Sequence, residues 1–244
     1  MDKYSIIYSL KIFLICLVFF AFVISISFIF SELNFNNSYH IGASLSVSAD
    51  VIVDAGHGGR DGGAVSSDGV FEKDLNLELS LTLREFLTFC GYDCILTRQE
   101  DKLVCDETDP LLKGKVKMTD LKNRLKIAED NENAVFISIH MNKFPIEKYK
   151  GLQVYYSVNN NESQQLAEEI EMKTRMLLQP ENNRKSKKAG SNIYILDRIT
   201  IPAVLVECGF LSNSEDTALL SSEEYRAKLA LVIAESIFAI KDNN

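Results

Sequence analysis

Short β-branched apolar runs alternate with segments of helical periodicity along most of this chain, and that alternation leaves few folds open to it. Val51-Ile52-Val53 reads as a buried strand that delivers the glycine-rich segment Asp54-Ala55-Gly56-His57-Gly58-Gly59. Leu75, Leu79, Leu83, Phe86 and Leu87 then recur at helical spacing, and Gly91 supplies a stop. Cys94 to Leu96 reads as the next strand, followed by a helix around Leu121, Leu125, Ile127 and Ala128 and a strong strand at Ala134 to Ile139. Further strands are expected at Leu152 to Tyr156, Ile193 to Leu196 and Ala203 to Val206. Helices are expected from about Gln164 to Leu178 and from Glu223 to Ile240, the last opening on a capping box of Ser221 with Glu224. The expected fold is an α/β domain: one mostly parallel sheet flanked by helices on both faces, with ligands beyond the carboxyl ends of its strands.

The first part of the chain is different. Ile12 to Phe30 is apolar or small throughout and carries no charge. At 1.5 Å per residue such a helix spans about 28 Å, close to the hydrocarbon thickness of a bilayer. Lys3 and Lys11 precede it and Glu32 is the first charge after it, which places the N-terminus in the cytoplasm and the remainder outside. The run exceeds the core of an ordinary signal peptide and no small-x-small cleavage site closes it, so a retained anchor is preferred to a cleaved leader. The organisation read from the sequence is therefore a transmembrane anchor or uncleaved signal over residues 1–30, a polar Asn/Ser-rich tether over 31–49 and one catalytic domain over 50–244.

A formal net charge of −8 excludes a nucleic-acid partner, which would need a basic face. The chain has only 3 histidines, and His40 falls in the tether. Histidine chemistry in the domain must use His57, after the first strand, and His140, at the end of the Val135 to Ile139 run. Glu72 starts a helix, where the dipole favours a carboxylate and the side chain can turn back toward the strand ends. Two imidazoles and one carboxylate suit zinc and leave a fourth position open, the mark of a catalytic site. Glu207 ends the apolar run Ala203 to Val206 ahead of a glycine turn and is the preferred general base. A dinucleotide cradle is excluded because Asp61 stands where G-x-G-x-x-G needs glycine or alanine, and no G-K-[ST] ending makes a phosphate loop.

Four motifs, Asp54-Ala55-Gly56-His57-Gly58-Gly59 with Asp61-Gly62-Gly63, Phe71-Glu72-Lys73-Asp74, Ser138-Ile139-His140-Met141-Asn142 and Val206-Glu207-Cys208-Gly209-Phe210-Leu211-Ser212-Asn213, together resemble the zinc-dependent N-acetylmuramoyl-L-alanine amidases of the amidase-3 type. Within that family the chain looks most like the germination-specific amidases of endospore formers. The resemblance implies one zinc ion per domain on His57, Glu72 and His140, water activation by Glu207, and cleavage of the amide between muramic acid and L-alanine in peptidoglycan, in maturation of the spore cortex. Ala55, where proline is common, and Cys208, where an apolar residue is common, depart from the pattern without removing a ligand or the base. Cys208 reads as a packing residue.

Asn142, beside His140, and Arg184, in the basic run Arg184-Lys185-Ser186-Lys187-Lys188, are the candidate substrate contacts, the latter toward carboxylates of the stem peptides. A solvated loop is the simpler reading of that run. Other zinc hydrolases of the same polymer, a peptidase or a deacetylase, share this metal chemistry, and an inactive wall-binding scaffold is the alternative of another class. An exported wall hydrolase without targeting repeats is expected to depend on an accessory activating or stabilising protein.

Overall fold

The computed structural model describes residues 49–241. The anchor and the greater part of the tether lie outside the described residues. Among those described, no helix is long and apolar enough to cross a membrane.

Six strands form one sheet: β1 (Val51–Ala55), β2 (Cys94–Leu96), β3 (Val135–Asn142), β4 (Gln153–Tyr156), β5 (Lys187–Lys188) and β6 (Ala203–Phe210). Their order is β2-β1-β3-β6-β4-β5. The first four in that order run parallel, whereas β4 is antiparallel to β6. Among the described residues, five α-helices accompany them: α1 (Glu72–Phe89), α2 (Val116–Glu129), α3 (Glu162–Leu177), α4 (Ser214–Ser221) and α5 (Glu223–Lys241). The expected α/β domain with a mostly parallel sheet is what forms.

Strand alternation divides the core in two. Val51, Val53, Ile137, Ile139, Val204, Val206 and Cys208 face one side and pack against α1, α3 and α5 through Leu79, Leu83, Ile170, Leu229 and Ile233. Cys208 is thus a buried packing residue. Ile52, Phe136, Ala203 and Leu205 face the other side, where α2 supplies Leu125 and Ala128. The rest of that cover is Ile195, Leu196, Ile199 and Ile201. Ile193 to Leu196, expected as a strand, is instead a tight turn whose apolar side chains seal this second face. A buried turn and a buried strand need the same residues, so the apolar run could not separate them.

Three other expectations are corrected. β3 and β6 extend past their apolar runs, so His140 and Glu207 lie within strands and are aligned neighbours. Gly209 makes no turn: the pairing of β3 with β6 changes from His140 with Glu207 to Asn142 with Phe210, so β6 carries one extra residue. The last helix starts at Glu223, and the side chain that accepts a bond at its entrance, from the Tyr225 amide, belongs to Ser222 and not Ser221.

The carboxyl end of β1 is held by buried charge. Arg124, on α2, donates to Asp54 Oδ1 at 2.6 Å, to Asp120 Oδ2 at 2.8 Å, and to the carbonyls of Ala55 and His57 at 2.7 Å each. Thr97 and Ser138 hydroxyls complete the Asp54 carboxylate at 2.8 and 2.6 Å. Both ends of the Arg124–Asp54 pair are almost wholly shielded, with side chains 2% and 1% exposed. Removing one partner leaves the other charge buried and unpaired, so Asp54→Ala should cost about 3–5 kcal/mol in urea unfolding. A loss below about 1 kcal/mol would mean that the network does not support the fold.

Candidate active site

Continuing the second-face alternation past Ile52, Phe136 and Leu205 brings Asp54, Ser138, His140 and Glu207 to the same side of the sheet. There a cleft of about 410 Å³ opens between α2 and the 190–196 turn. His57, His140, Asn142 and Glu207 line it. The sequence-derived candidates therefore converge, with the exception of Arg184.

The glycines of the first motif are fixed by side chains arriving from elsewhere. A Cβ at Gly56 would lie 2.3 Å from His140 Nε2, inside the imidazole ring's own space. A Cβ at Gly63 would lie 2.5 Å from Glu72 Oε2 and 2.8 Å from the His57 ring, at a φ of +66°. Between them His57 adopts φ 61°, a conformation that costs an L-residue about 1–2 kcal/mol. Arg98 holds the same segment by donating to the carbonyls of Ala55 at 2.8 Å and Gly56 at 3.0 Å.

Glu72, at the first turn of α1, is the centre of the group. Its Oε1 lies 2.8 Å from His140 Nδ1 and 3.2 Å from His57 Nε2, and accepts from the Met141 amide at 3.1 Å. Oε2 accepts from the Ala64 amide at 2.7 Å. The two imidazole rings meet edge to face with centroids 4.9 Å apart. One ligand atom from each of His57, Glu72 and His140 falls within 4.8 Å of the others. Ligands of a tetrahedral zinc with bonds of 2.0–2.1 Å are about 3.3 Å apart, so this donor set fits the ion in identity and spacing.

Asp61, quoted in the sequence only as part of a glycine loop, has a role of its own. Its Oδ1 lies 3.0 Å from His57 Nδ1 and directs Nε2 toward Glu72. A carboxylate behind a ligating imidazole fixes its tautomer and raises its basicity. Spacing of i,i+4 from a candidate ligand was the available signal. Burial disfavours the His57 imidazolium, but hydrogen bonds and charge from Asp61 and Glu72 outweigh it and raise its pKa to about 9. Burial would likewise lift Glu72, yet the two imidazoles hold it well below the usual carboxylate range.

Glu207 is different in kind. Its Oε2 is buried with no hydrogen-bond partner. Burial pushes its pKa up to about 7, with His140 opposing and Glu72 reinforcing the shift. Arg184 stands apart: it donates from Nε to the Lys150 carbonyl at 3.0 Å, and its guanidinium stacks 4.6 Å over Phe210. It lines a separate depression with Tyr149, Gln179 and Glu215. Lys187 and Lys188 of the same basic run form the edge strand beside Tyr155 and Tyr156.

Residues 51–239 match the N-acetylmuramoyl-L-alanine amidase family of the amidase-3 type. The chain belongs to this family. It is 35% identical over 213 residues to the germination-specific N-acetylmuramoyl-L-alanine amidase of Bacillus subtilis (strain 168), covering 86% of this chain and 87% of that protein. Among solved structures it resembles the CwlD amidase from Clostridioides difficile, determined in complex with the GerS lipoprotein, at 36% identity and TM-score 0.76 over 80% of this chain and all (100%) of that one. AmiC2 of Nostoc punctiforme, also an N-acetylmuramoyl-L-alanine amidase, matches at 30% identity and TM-score 0.67, over 80% and 98%.

The raised pKa of Glu207 in this amidase carries a stability signature. Between the ordinary value of 4.5 and about 7 the folded state holds a proton that the unfolded state has released, so rising pH removes stability across that window. In metal-free protein, Glu207→Gln should therefore gain roughly 3 kcal/mol over wild type at pH 8 and nothing below pH of about 4, measured by urea unfolding. An equal difference at both pH values would mean that the carboxyl is not held in a desolvated site.

Proposed function

We propose that this peptidoglycan amidase is zinc-dependent, with one ion held by His57, Glu72 and His140 and with Glu207 as general base. The observation that carries the reading is an unpartnered, buried carboxyl oxygen on Glu207, in register with His140 beside a complete donor trio. Bound zinc supplies Lewis-acid chemistry, acidifying water from about 15.7 to about 7 and polarising a carbonyl.

The chain's own groups account for the remaining steps. Glu72, ionised near neutral pH, orients both imidazoles; Asp61 keeps the Nδ1 proton on His57. Glu207 accepts a proton from the attacking water as its oxygen bonds to the lactyl carbonyl carbon. The carbon–nitrogen bond then breaks, and Glu207 returns the proton to the departing nitrogen of L-alanine. Burial of Glu207 Oε2 without a hydrogen-bond partner raises its proton affinity, which suits a group that must take and then return a proton. Asn142 lines the cleft, within reach of a substrate bound there.

Likeness to the germination-specific amidase supports a role in the spore cortex. The apolar run before residue 31 supports an anchored enzyme whose catalytic domain works outside the cytoplasm. A relative solved with a lipoprotein supports an accessory protein as partner.

Two measurements test this. Mass spectrometry of purified cortex digested by the full-length protein should show free stem peptides and an unbroken glycan; released acetate or cut peptides would favour a deacetylase or peptidase. In the second, Glu207→Gln should retain zinc while amide cleavage falls about 10²- to 10⁴-fold. Turnover within a few fold of wild type with zinc bound would remove Glu207 from the base role, and joint loss of zinc and activity would make it a ligand. His140→Ala, by contrast, should lose the metal, as read by elemental analysis.

A further inference from the structure

The cleft is chemically unequal along its length. His57 follows β1, His140 on β3 pairs with Glu207 on β6, and Tyr155 on β4 pairs with Leu205, two residues before Glu207, so the cleft lining crosses the sheet from the β1 side to the β4 side. Tyr155 lies on β4, and the Ala189 amide just before Gly190 bonds to the Tyr156 carbonyl; these and the other lining residues of the turn, Asn192 and Tyr194, are neutral. Beyond His57, on the β1 side, stands Lys117, the one lysine or arginine of the cleft lining. Lys117 also borders two further depressions, one reaching Asp61 and Arg124 and one reaching Arg60. Lys117 thus stands where three neighbouring depressions meet, between the donor trio and Arg60.

The fold does not explain Lys117. It sits in the first turn of α2, where no acidic residue is present and the helix dipole disfavours a cation. Its side chain is 74% exposed, and its single ion pair is a long one, 3.5 Å to Asp61 Oδ2. Arg60 is similarly exposed, 3.7 Å from Glu107. Both cations remain available to an anion in the groove.

We infer that the cleft takes its substrate in one direction, with the stem peptide running past Lys117, which binds a peptide carboxylate, and the muramyl residue toward Tyr155 and Tyr194. The inference rests on the amidase reading above. The bond cut joins a sugar to a peptide, so its two sides differ as the cleft does: hydroxyls, an acetamide and a ring face on one, carboxylates on the other. Aromatic rings and an asparagine amide suit the first, and a lysine ammonium suits the second.

The test uses the full-length zinc-loaded enzyme and two muropeptides that differ only in a free or amidated α-carboxyl on the second peptide residue. Wild type should prefer the free carboxylate about five- to tenfold in kcat/KM, and the preference should shrink as salt rises. Lys117→Met should bring the ratio to about one, Lys117→Glu should invert it, and Lys117→Arg should restore it. Tyr194→Ala should lower both substrates alike and leave the ratio unchanged. A Lys117→Met enzyme that keeps the wild-type ratio, or loses both substrates equally with the ratio intact, overturns the assignment. Failure of wild type to cut either muropeptide would instead count against the amidase reading, since the ratio is then never reached.

Discussion

The active site depends on how one arginine closes a buried ring of charge. Arg124 binds Asp54 and Asp120 while also capturing the carbonyls of Ala55 and His57. Arg98 takes the carbonyls of Ala55, Gly56 and Lys73. Two guanidinium groups and two carboxylates cancel in formal charge, and hydroxyls of Thr97 and Ser138 fill the remaining acceptors of Asp54. Burial would be prohibitive for any of these ions alone. Together they hold a backbone segment that would otherwise relax, because His57 sits at a positive φ that no side chain prefers. Arg98 also ties the start of α1 to the end of β1, so the positions of His57 and Glu72 are set by the same network.

That network works because the two faces of the sheet are covered unequally. Four helices contribute to the cover of one face, and its strand residues are mostly buried aliphatics. On the other face α2 and a tight turn supply the cover. The carboxyl ends of β1, β3 and β6 are left open on that side, and the same alternation that puts Phe136 and Leu205 into the core puts His140 and Glu207 into the cleft. The extra residue in β6 comes after Glu207, at Cys208 and Gly209, so the pairing of His140 with Glu207 is set by regular ladder and not by the irregularity beyond it.

Much of this was legible in the sequence, for reasons that also mark its limits. Scarcity of histidine, together with placement at the ends of apolar runs, singled out His57 and His140, and Glu72 and Glu207 followed from a helix start and a strand end. Those are local signals. Arg124 and Arg98 were invisible because their partners lie 70 and 43 residues away. Lys117 likewise gains its place only when α2 docks beside β1. Arg184 lies away from the cleft: a basic run can be read as anion contact or as a solvated loop, and its guanidinium stacks on Phe210 while Nε donates to the Lys150 carbonyl. Ile193 to Leu196 shows the same weakness in secondary structure, since burial and strand formation leave one pattern.

Three carboxylates on or beside this face show how environment sets role within one site. Asp54 accepts from Arg124, Thr97 and Ser138; burial would raise its pKa, but that company holds it below the ordinary value, so it stays charged and structural. Glu72 accepts from two backbone amides and faces two imidazole nitrogens, which keeps it ionised and fixes the direction of its oxygens. Glu207 receives almost nothing: one oxygen is buried without a partner, and its pKa rises to about 7. A saturated carboxylate at that position would be more comfortable and would be a poor base, since every hydrogen bond it accepted would lower its affinity for a proton. The stability surrendered at Glu207 raises its affinity for a proton, as the proposed base role needs, whereas the hydrogen bonds that Asp54 and Glu72 accept keep both of them charged.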